Sequence, residues 1–373
     1  MFVTEYILLV TFIACMLVQL AYFGWFFYAF LSIPESETGT SNDAGVSVVV
    51  ALRNEAGNLP ELIENLANQQ YGKYEVILVD DASSDESLDL IIGAAKKYNH
   101  VHYVWLKEKN ENIKGKKLAL TLGIKKATYN IILLTDADCR PRSKAWIARM
   151  AQPFLYPGTQ IVIGFSGYLK EKSWLNAFIQ YETLLTAMQY LAFALSGSPY
   201  MGVGRNLAYR KDFFLKKKGF AGFSHELGGD DDLLVNRHGN GKNTRVMLHP
   251  ESFVDTFPQK RWGAYYTQKK RHLHAGKSYK IVSKILLGMF ILSYLGAWLF
   301  GGMIIVTGKV IMFVTGCWLI RELVLYLTIH SVANQLNNQI ARHQLFILDL
   351  FFVIYYISVG LAAFFSKTIK WKI

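Results

Sequence analysis

Residues 75–81 read EVILVDD and residues 131–138 read IILLTDAD. Each is a short apolar run that stops on acidic residues, the pattern of a strand buried on both faces of a sheet. Val46-Ser47-Val48-Val49-Val50-Ala51-Leu52 has the same character, and Arg53-Asn54-Glu55 follows it. Leu59, Leu62, Ile63 and Leu66 then recur at helical spacing. The turn Ala82-Ser83-Ser84-Asp85 opens a second helix, with Ser84 or Asp85 available as its N-cap. Residues 101–106 predict another strand, and 118–127 another helix after a loop containing Gly115. This alternation predicts an α/β domain on a mostly parallel, Rossmann-like sheet with right-handed crossovers.

In open α/β sheets ligands bind beyond the carboxyl ends of the strands. Asp80-Asp81 and Asp136-x-Asp138 both stand at such ends. A single aspartate there is commonly a turn former, but two acidic clusters at equivalent ends point to a site. In extended chain the Asp-x-Asp spacing sends Asp136 and Asp138 to the same side. There they could hold a divalent cation, Mg²⁺ or Mn²⁺, which takes hard oxygen ligands and shares them with phosphates. Neither GxxxxGK[ST] nor GxGxxG occurs, which disfavours a P-loop or a dinucleotide site.

The 373 residues carry a net charge of +12, are 52% hydrophobic and only 18% charged, which excludes a disordered polymer. Cys15, Cys139 and Cys317 are too scattered for a disulfide framework or a zinc cluster. The apolar residues concentrate at the two ends. Residues 6–31 contain no charge, and roughly 20 such residues cross a bilayer core. The run lacks the basic flank and cleavage site of a signal peptide and reads as an uncleaved anchor. Further apolar runs cover 285–306, 311–330 and 345–365. The chain therefore divides into an anchor (1–34), a linker (36–45), a soluble domain (45–280) and a carboxy-terminal membrane region (281–373).

Only Glu5 precedes the first run, whereas QKKRHLHAGKSYK (268–280) precedes the second. By the positive-inside tendency the middle domain is cytoplasmic. Three further spans would leave KTIKWKI (367–373) outside, so either its lysines snorkel or one carboxy-terminal segment is re-entrant or interfacial. Arg321, Glu322 and Asp349 lie inside apolar runs, where they either pair between helices or belong to a lipid-substrate path. WLNAFIQYETLLTAMQYLAFALSG (174–197) is either an interfacial, substrate-contacting helix or an ordinary core helix.

VVVALRNE (48–55), EVILVDDASSD (75–85), KGKKLAL (114–120) and ILLTDADCRP (132–141) follow one another in a way that resembles family 2 glycosyltransferases of GT-A fold. The resemblance continues through YMGVGRNLAYRKDFF (200–214), GGDDDLL (228–234) and QKKRH (268–272). It implies an inverting, metal-dependent hexosyltransferase that moves a sugar from a nucleotide-diphosphate donor, a UDP-sugar above all, to a lipid or glycan acceptor at the membrane. The implied setting is a bacterial-type plasma membrane with the catalytic domain cytoplasmic. A polyprenyl-phosphate glycosyltransferase or a processive polysaccharide synthase are the alternatives within enzymes. An inert nucleotide-sugar-binding subunit is the alternative outside them. No nucleic-acid partner is expected, because the basic residues gather beside the membrane.

By the same resemblance Ala51, Arg53 and Glu55 line the nucleotide end, and Asp81, or Asp80, reads the base. Lys116 lies near the nucleotide, or is a solvated lysine of a basic loop. Asp136 faces the ribose or donor sugar, and Asp138, with Asp136, holds the metal on the diphosphate. Residues 202–206 resemble the strand that supports donor and acceptor sugars. GGDDDLL contains the general base, with Asp231 in the favoured register and Asp230 in the other; one of the three aspartates can also cap a helix. Gln268, Arg271 and His272 stand where the family carries Gln-x-x-Arg-Trp, rather than the earlier Arg261-Trp262, with His272 replacing the tryptophan. An arginine there contacts diphosphate through its planar fork.

Overall fold

The computed structural model describes residues 2–32, 43–108, 113, 115–226, 228–338, 340 and 342–366. Most of the linker and the KTIKWKI tail lie outside the described residues. The strands are Val46–Leu52 (β1), Tyr74–Asp81 (β2), Val101–Leu106 (β3), Ile131–Leu134 (β4), Cys139–Pro141 (β5), Ile161–Ile163 (β6), Ser166–Tyr168 (β7), Leu207–Arg210 (β8), Thr244–Val246 (β9) and Val254–Thr256 (β10). The helices of the α/β part are Leu59–Ala67 (α2), Ser87–Lys97 (α3), Lys117–Lys126 (α4), Trp146–Ala151 (α5), Trp174–Leu195 (α6), Lys211–Lys216 (α7), Asp232–His238 (α8) and Trp262–Ala275 (α9). Four more helices, Phe2–Leu31 (α1), Ile281–Val306 (α10), Ile311–Gln335 (α11) and Leu345–Phe365 (α12), are long and apolar enough to cross a membrane.

Seven strands form one sheet in the order β3-β2-β1-β4-β8-β6-β9. β1 pairs in parallel with β2 and β4, and β2 with β3, while β8 runs antiparallel to β4 and β6. All seven residues of β1 are buried, as an apolar run covered on both faces requires. α2 buries Leu59, Leu62, Ile63 and Leu66 against that sheet, the stripe its spacing predicts. The register aligns Leu52 with Asp80, and Leu134 with Leu207. The carboxyl ends of β1, β2 and β4 therefore meet the entry of β8 along one edge. This mixed, mostly parallel α/β sheet is a GT-A-type architecture.

Several local expectations change. Asp136-Ala137-Asp138 is a turn rather than extended chain, closed by the Cys139 N–H on the Asp136 carbonyl at 3.1 Å. Residues 202–206 form the loop into β8 and not a strand. α3 starts at Ser87, with Asp85 Oδ1 accepting its N–H at 3.0 Å. Asp85 Oδ2 accepts the Ala56 N–H at 3.0 Å, so this residue ties two loops together as well as starting the helix.

α1 and α10 lie antiparallel and side by side. Gln19 donates to the Phe290 carbonyl at 2.9 Å and Tyr22 to the Leu286 carbonyl at 2.8 Å. α11 returns beside α1, where Gln335 donates to the Phe30 carbonyl at 3.0 Å. α6 is buried between the sheet domain and these helices, so it is a core helix that also faces the membrane-length segments. α12 follows the basic helix α9. Phe351 meets Trp262 at 5.4 Å, Tyr355 stacks on Tyr265 at 5.8 Å, and Tyr266 donates to the Ser358 carbonyl at 3.0 Å. Arg321 of α11 is fully buried and donates to Asp349 of α12 at 2.9 Å and to Glu322. Asp349 also accepts from Tyr181 at 2.8 Å. These charges pair between helices, and none of the three lines the cavity described next.

Candidate active site

One cavity of about 970 Å³ opens along the carboxyl edge of the sheet. Its polar end is built by loops that lock each other. The Asn54 N–H donates to Ser83 Oγ at 2.9 Å, and Asn54 Oδ1 accepts the Ser84 N–H at 2.8 Å. Asn54 and Ala82 hold these turns with φ of 53° and 56°, in the left-handed region that residues with a Cβ seldom adopt. The locked loops present Ala51, Arg53, Glu55 and Asp81 to the cavity. Asp80 is buried beneath them and accepts the Ser83 N–H at 3.1 Å, so it shapes the turn and is absent from the lining.

Asp136 and Asp138 line the same cavity. Their carboxylate oxygens and Cys139 Sγ all fall within 4.8 Å of one another. Burial, then Asp138 and Asp136, raise the Cys139 thiol well above its ordinary value, so it is a neutral neighbour and the donor set is the two carboxylates. Such a pair fits a hard divalent ion better than a soft one.

Lys116, at the head of α4, is no solvated lysine. Its ammonium pairs with Asp136 and stands 3.3 Å from Asp230 Oδ2. Burial opposes its charge, but Asp136, Asp230 and Asp231 hold its pKa well above the ordinary lysine value. Burial likewise opposes the Asp136 charge, yet Lys116, with Arg205 and Arg271 farther off, keeps that carboxyl below its usual range. One cation thus joins the acidic turn after β4 to the acidic cluster before α8.

Asp231 is the N-cap of α8. Its Oδ1 accepts the Asp232 N–H at 2.9 Å and its Oδ2 accepts the Gly204 N–H at 2.7 Å. Burial and then Asp230 raise its carboxyl above the usual value, against Lys116 and the two backbone donors. Asp232, pushed up to about 8 by burial and Asp231, accepts from Tyr279 at 2.8 Å. Gln268, Arg271 and His272 sit on one face of α9 and line the cavity. Trp262 instead packs against Phe178 at 5.7 Å, and Arg261 does not line the cavity.

Three residues that the sequence placed only within a segment, Arg205 and Asn206 in 202–206 and Glu182 in 174–197, take definite positions here. Asn206 is fully buried and donates to the Phe165 and Ser252 carbonyls, both at 2.8 Å, while accepting from Trp146 at 3.0 Å. It pins the loop carrying Gly204 and Arg205. The Arg205 guanidinium lies 4.8 Å from the Tyr168 ring centre and lines the cavity. Glu182 of α6 pairs with Lys269 of α9 and accepts from Tyr265 at 2.9 Å.

The mostly parallel sheet with carboxylates gathered beyond its strand ends has the GT-A fold. Residues 47–216 match the family described as Glycosyl transferase family 2. A probable glycosyltransferase, YdaM, of Bacillus subtilis is 26% identical over 256 residues, covering 64% of this chain and 57% of that protein. The poly-beta-1,6-N-acetyl-D-glucosamine synthase of Staphylococcus aureus is 34% identical over 94 residues, 25% of this chain and 22% of the synthase. The matches therefore span little more than half of the first relative and about a fifth of the second. The structure of a mannosyltransferase from Pyrobaculum calidifontis, in complex with GDP-Man and Mn²⁺, is similar across 98% of this chain and 99% of that one, with a TM-score of 0.63 at 19% identity.

Proposed function

We propose that the protein is an inverting, metal-dependent glycosyltransferase that takes its sugar from a nucleotide-diphosphate donor and passes it to an acceptor at the cytoplasmic face of a membrane. One observation carries this reading. Asp81, Asp136, Asp138 and Asp231, which come from three distant stretches of chain, line a single cavity that continues to the membrane-length helices. Arg53, Glu55 and Asp81 would hold the nucleoside. Asp138, with Asp136, would hold the divalent cation, which when bound supplies positive charge to the leaving diphosphate. Arg271 and Lys116, which line the cavity and both act on Asp136, add fixed cations. Asp231, raised above the ordinary carboxylate range and set at the cavity wall, would take the acceptor proton. Asp230 would instead orient Lys116.

The division into an anchor (1–34), a catalytic domain (45–280) and a carboxy-terminal membrane region (281–373) is part of this proposal. A processive synthase is the second reading, favoured by the similarity to the poly-N-acetylglucosamine synthase. Single addition is preferred, because three carboxy-terminal helices are few for a channel and α12 lies along α9. The test is transfer of label from a panel of nucleotide sugars by the purified chain, with Asp138→Ala and Asp231→Asn as controls. Full turnover in both variants would refute the assigned roles.

A further inference from the structure

The cavity does not end at the aspartates. A second arm runs away from them between α10 and α12, walled by Leu287, Gly288, Ile291 and Leu292 on one side and Phe352 and Phe364 on the other. At its outer rim Leu292 is 69% and Phe364 71% exposed, so the arm opens sideways onto apolar helix surface. Tyr355 of α12 lines the same cavity, its ring against Phe178 and Tyr265. It is 7% exposed, and its hydroxyl has no hydrogen-bond partner among the described residues. A buried hydroxyl left in that condition costs free energy that a ligand's polar group would recover.

We infer that the acceptor is a lipid with a hydroxyl-bearing head group, its hydrocarbon chain lying in the arm between α10 and α12 and its head reaching past Tyr355 to the aspartates. This inference rests on the glycosyltransferase reading and names the acceptor class for that same site. The wall residues Leu287, Ile291, Leu292, Phe352 and Phe364 offer sugar hydroxyls nothing to bond, so a glycan chain would be desolvated there without compensation. A hydrocarbon chain gains from the same surface. Because both flanking helices are long and apolar enough to lie in a bilayer, the arm's lateral mouth faces acyl chains. The head is assigned a hydroxyl because a carboxylate base is placed where it would meet it, and a lipid phosphate, largely ionised near neutral pH, needs none. In the transfer the hydroxyl oxygen bonds the anomeric carbon and the bond from that carbon to the diphosphate breaks. The hydroxyl proton passes to Asp231, and the nucleoside diphosphate leaves.

Gly288 supplies the test. A Cβ built there meets no atom within 4 Å, so there is open space at this position on the cavity wall. The full chain in nanodiscs would be given labelled donor and three acceptors: a lipid with a hydroxylated head, the same head on a short water-soluble tail, and a polyprenyl phosphate. Donor binding and slow donor hydrolysis by water are followed alongside. The hydroxyl lipid should be the preferred acceptor, with apparent affinity falling on the order of tenfold for every two methylenes removed. Gly288→Trp should cut transfer to the lipid about tenfold or more, an effect of the same order. Donor binding and melting temperature should stay at wild-type values. Equal use of the tail-less acceptor, transfer only to the lipid phosphate, or an unaltered Gly288→Trp enzyme would each overturn the inference while leaving the glycosyltransferase reading intact. Absence of donor binding and hydrolysis in the wild type would instead overturn that reading, and this one with it.

Discussion

The backbone N–H of Gly204 donates to Asp231 Oδ2 at 2.7 Å, joining the loop before β8 to the first turn of α8. That bond fixes the rotamer of the aspartate assigned as general base and leaves its outer face toward the cavity. It depends on a close backbone approach. A Cβ at position 204 would stand 3.2 Å from Asp231 Oδ2 and 3.4 Å from Lys116 Nζ, tighter than ordinary contact. Gly204→Ala is expected to lower kcat by about tenfold or more, as small misplacements of catalytic groups do. Its melting temperature should stay near that of the wild type. Paired kinetics and thermal melts would check this, and equal kcat would mean the contact is only structural.

Asp231→Asn removes the proton acceptor and, with a single carbonyl oxygen, keeps only one of the two bonds now accepted from Asp232 and Gly204. Transfer is expected to drop by roughly 10²–10⁴, the usual contribution of a general base, with donor affinity kept. Asp230→Asn should cost less in kcat and more in donor affinity, because its partner is Lys116. Burial and Asp230 raise the Asp231 carboxyl, and a base acts only when deprotonated. Wild-type kcat should therefore rise with pH through a midpoint above the ordinary carboxylate value of 3.8, a limb that Asp231→Asn lacks. A flat acid limb in the wild type would move the base elsewhere.

Asp232 titrates at about 8, raised by burial and by Asp231. A carboxyl whose folded pKa lies above its unfolded value favours the folded state while protonated. That stability is fully present below about pH 4 and is lost as pH rises through about 8. Asn at this position cannot titrate and can still bond Tyr279. The melting temperature of Asp232→Asn should therefore gain on the wild type between about pH 5 and about pH 9. Parallel curves across that range would contradict the assignment.

Asp136 and Asp138 offer two hard oxygen ligands near one another. Removal of divalent cations should abolish transfer, and Mn²⁺ or Mg²⁺ should restore it. In Asp138→Ala, added metal should no longer strengthen donor binding, measured by titration calorimetry. Metal-independent donor binding in the wild type would remove the ion from this site.

Arg321 and Asp349 form a fully buried pair that joins α11 to α12. Arg321→Met alone leaves Asp349 uncompensated and should destabilise by about 3–5 kcal/mol. Arg321→Met with Asp349→Leu should recover most of that loss. A double variant as unstable as the single one would show that the charges do more than satisfy each other.

Much of the domain was legible because it is written in local pattern. The apolar runs ending at Asp81 and Asp136, and the spacing of Leu59, Leu62, Ile63 and Leu66, specify buried strands and an amphipathic helix through burial alone. The four membrane-length helices followed from composition in the same way. The strand expected at 202–206 failed because Asn206 donates to the Phe165 and Ser252 carbonyls and accepts from Trp146, bonds that hold the segment as a loop. The turn at Asp136-Ala137-Asp138 was hidden for a similar reason: a two-residue spacing says nothing of the backbone angle between its members.

Residue type and order alone thus determined the α/β class, the acidic strand ends, the basic segment before the second apolar run and the length of the apolar helices, since each is a matter of periodicity and solvation. Only the tertiary structure decided that Lys116 joins Asp136 to Asp230, that Asp231 caps α8 against Gly204, that α12 lies along α9, and that the cavity extends between α10 and α12. Those are meetings of groups tens to hundreds of positions apart. Which cation stands beside which carboxylate is set by the packing of whole elements, and no short stretch of chain carries that information.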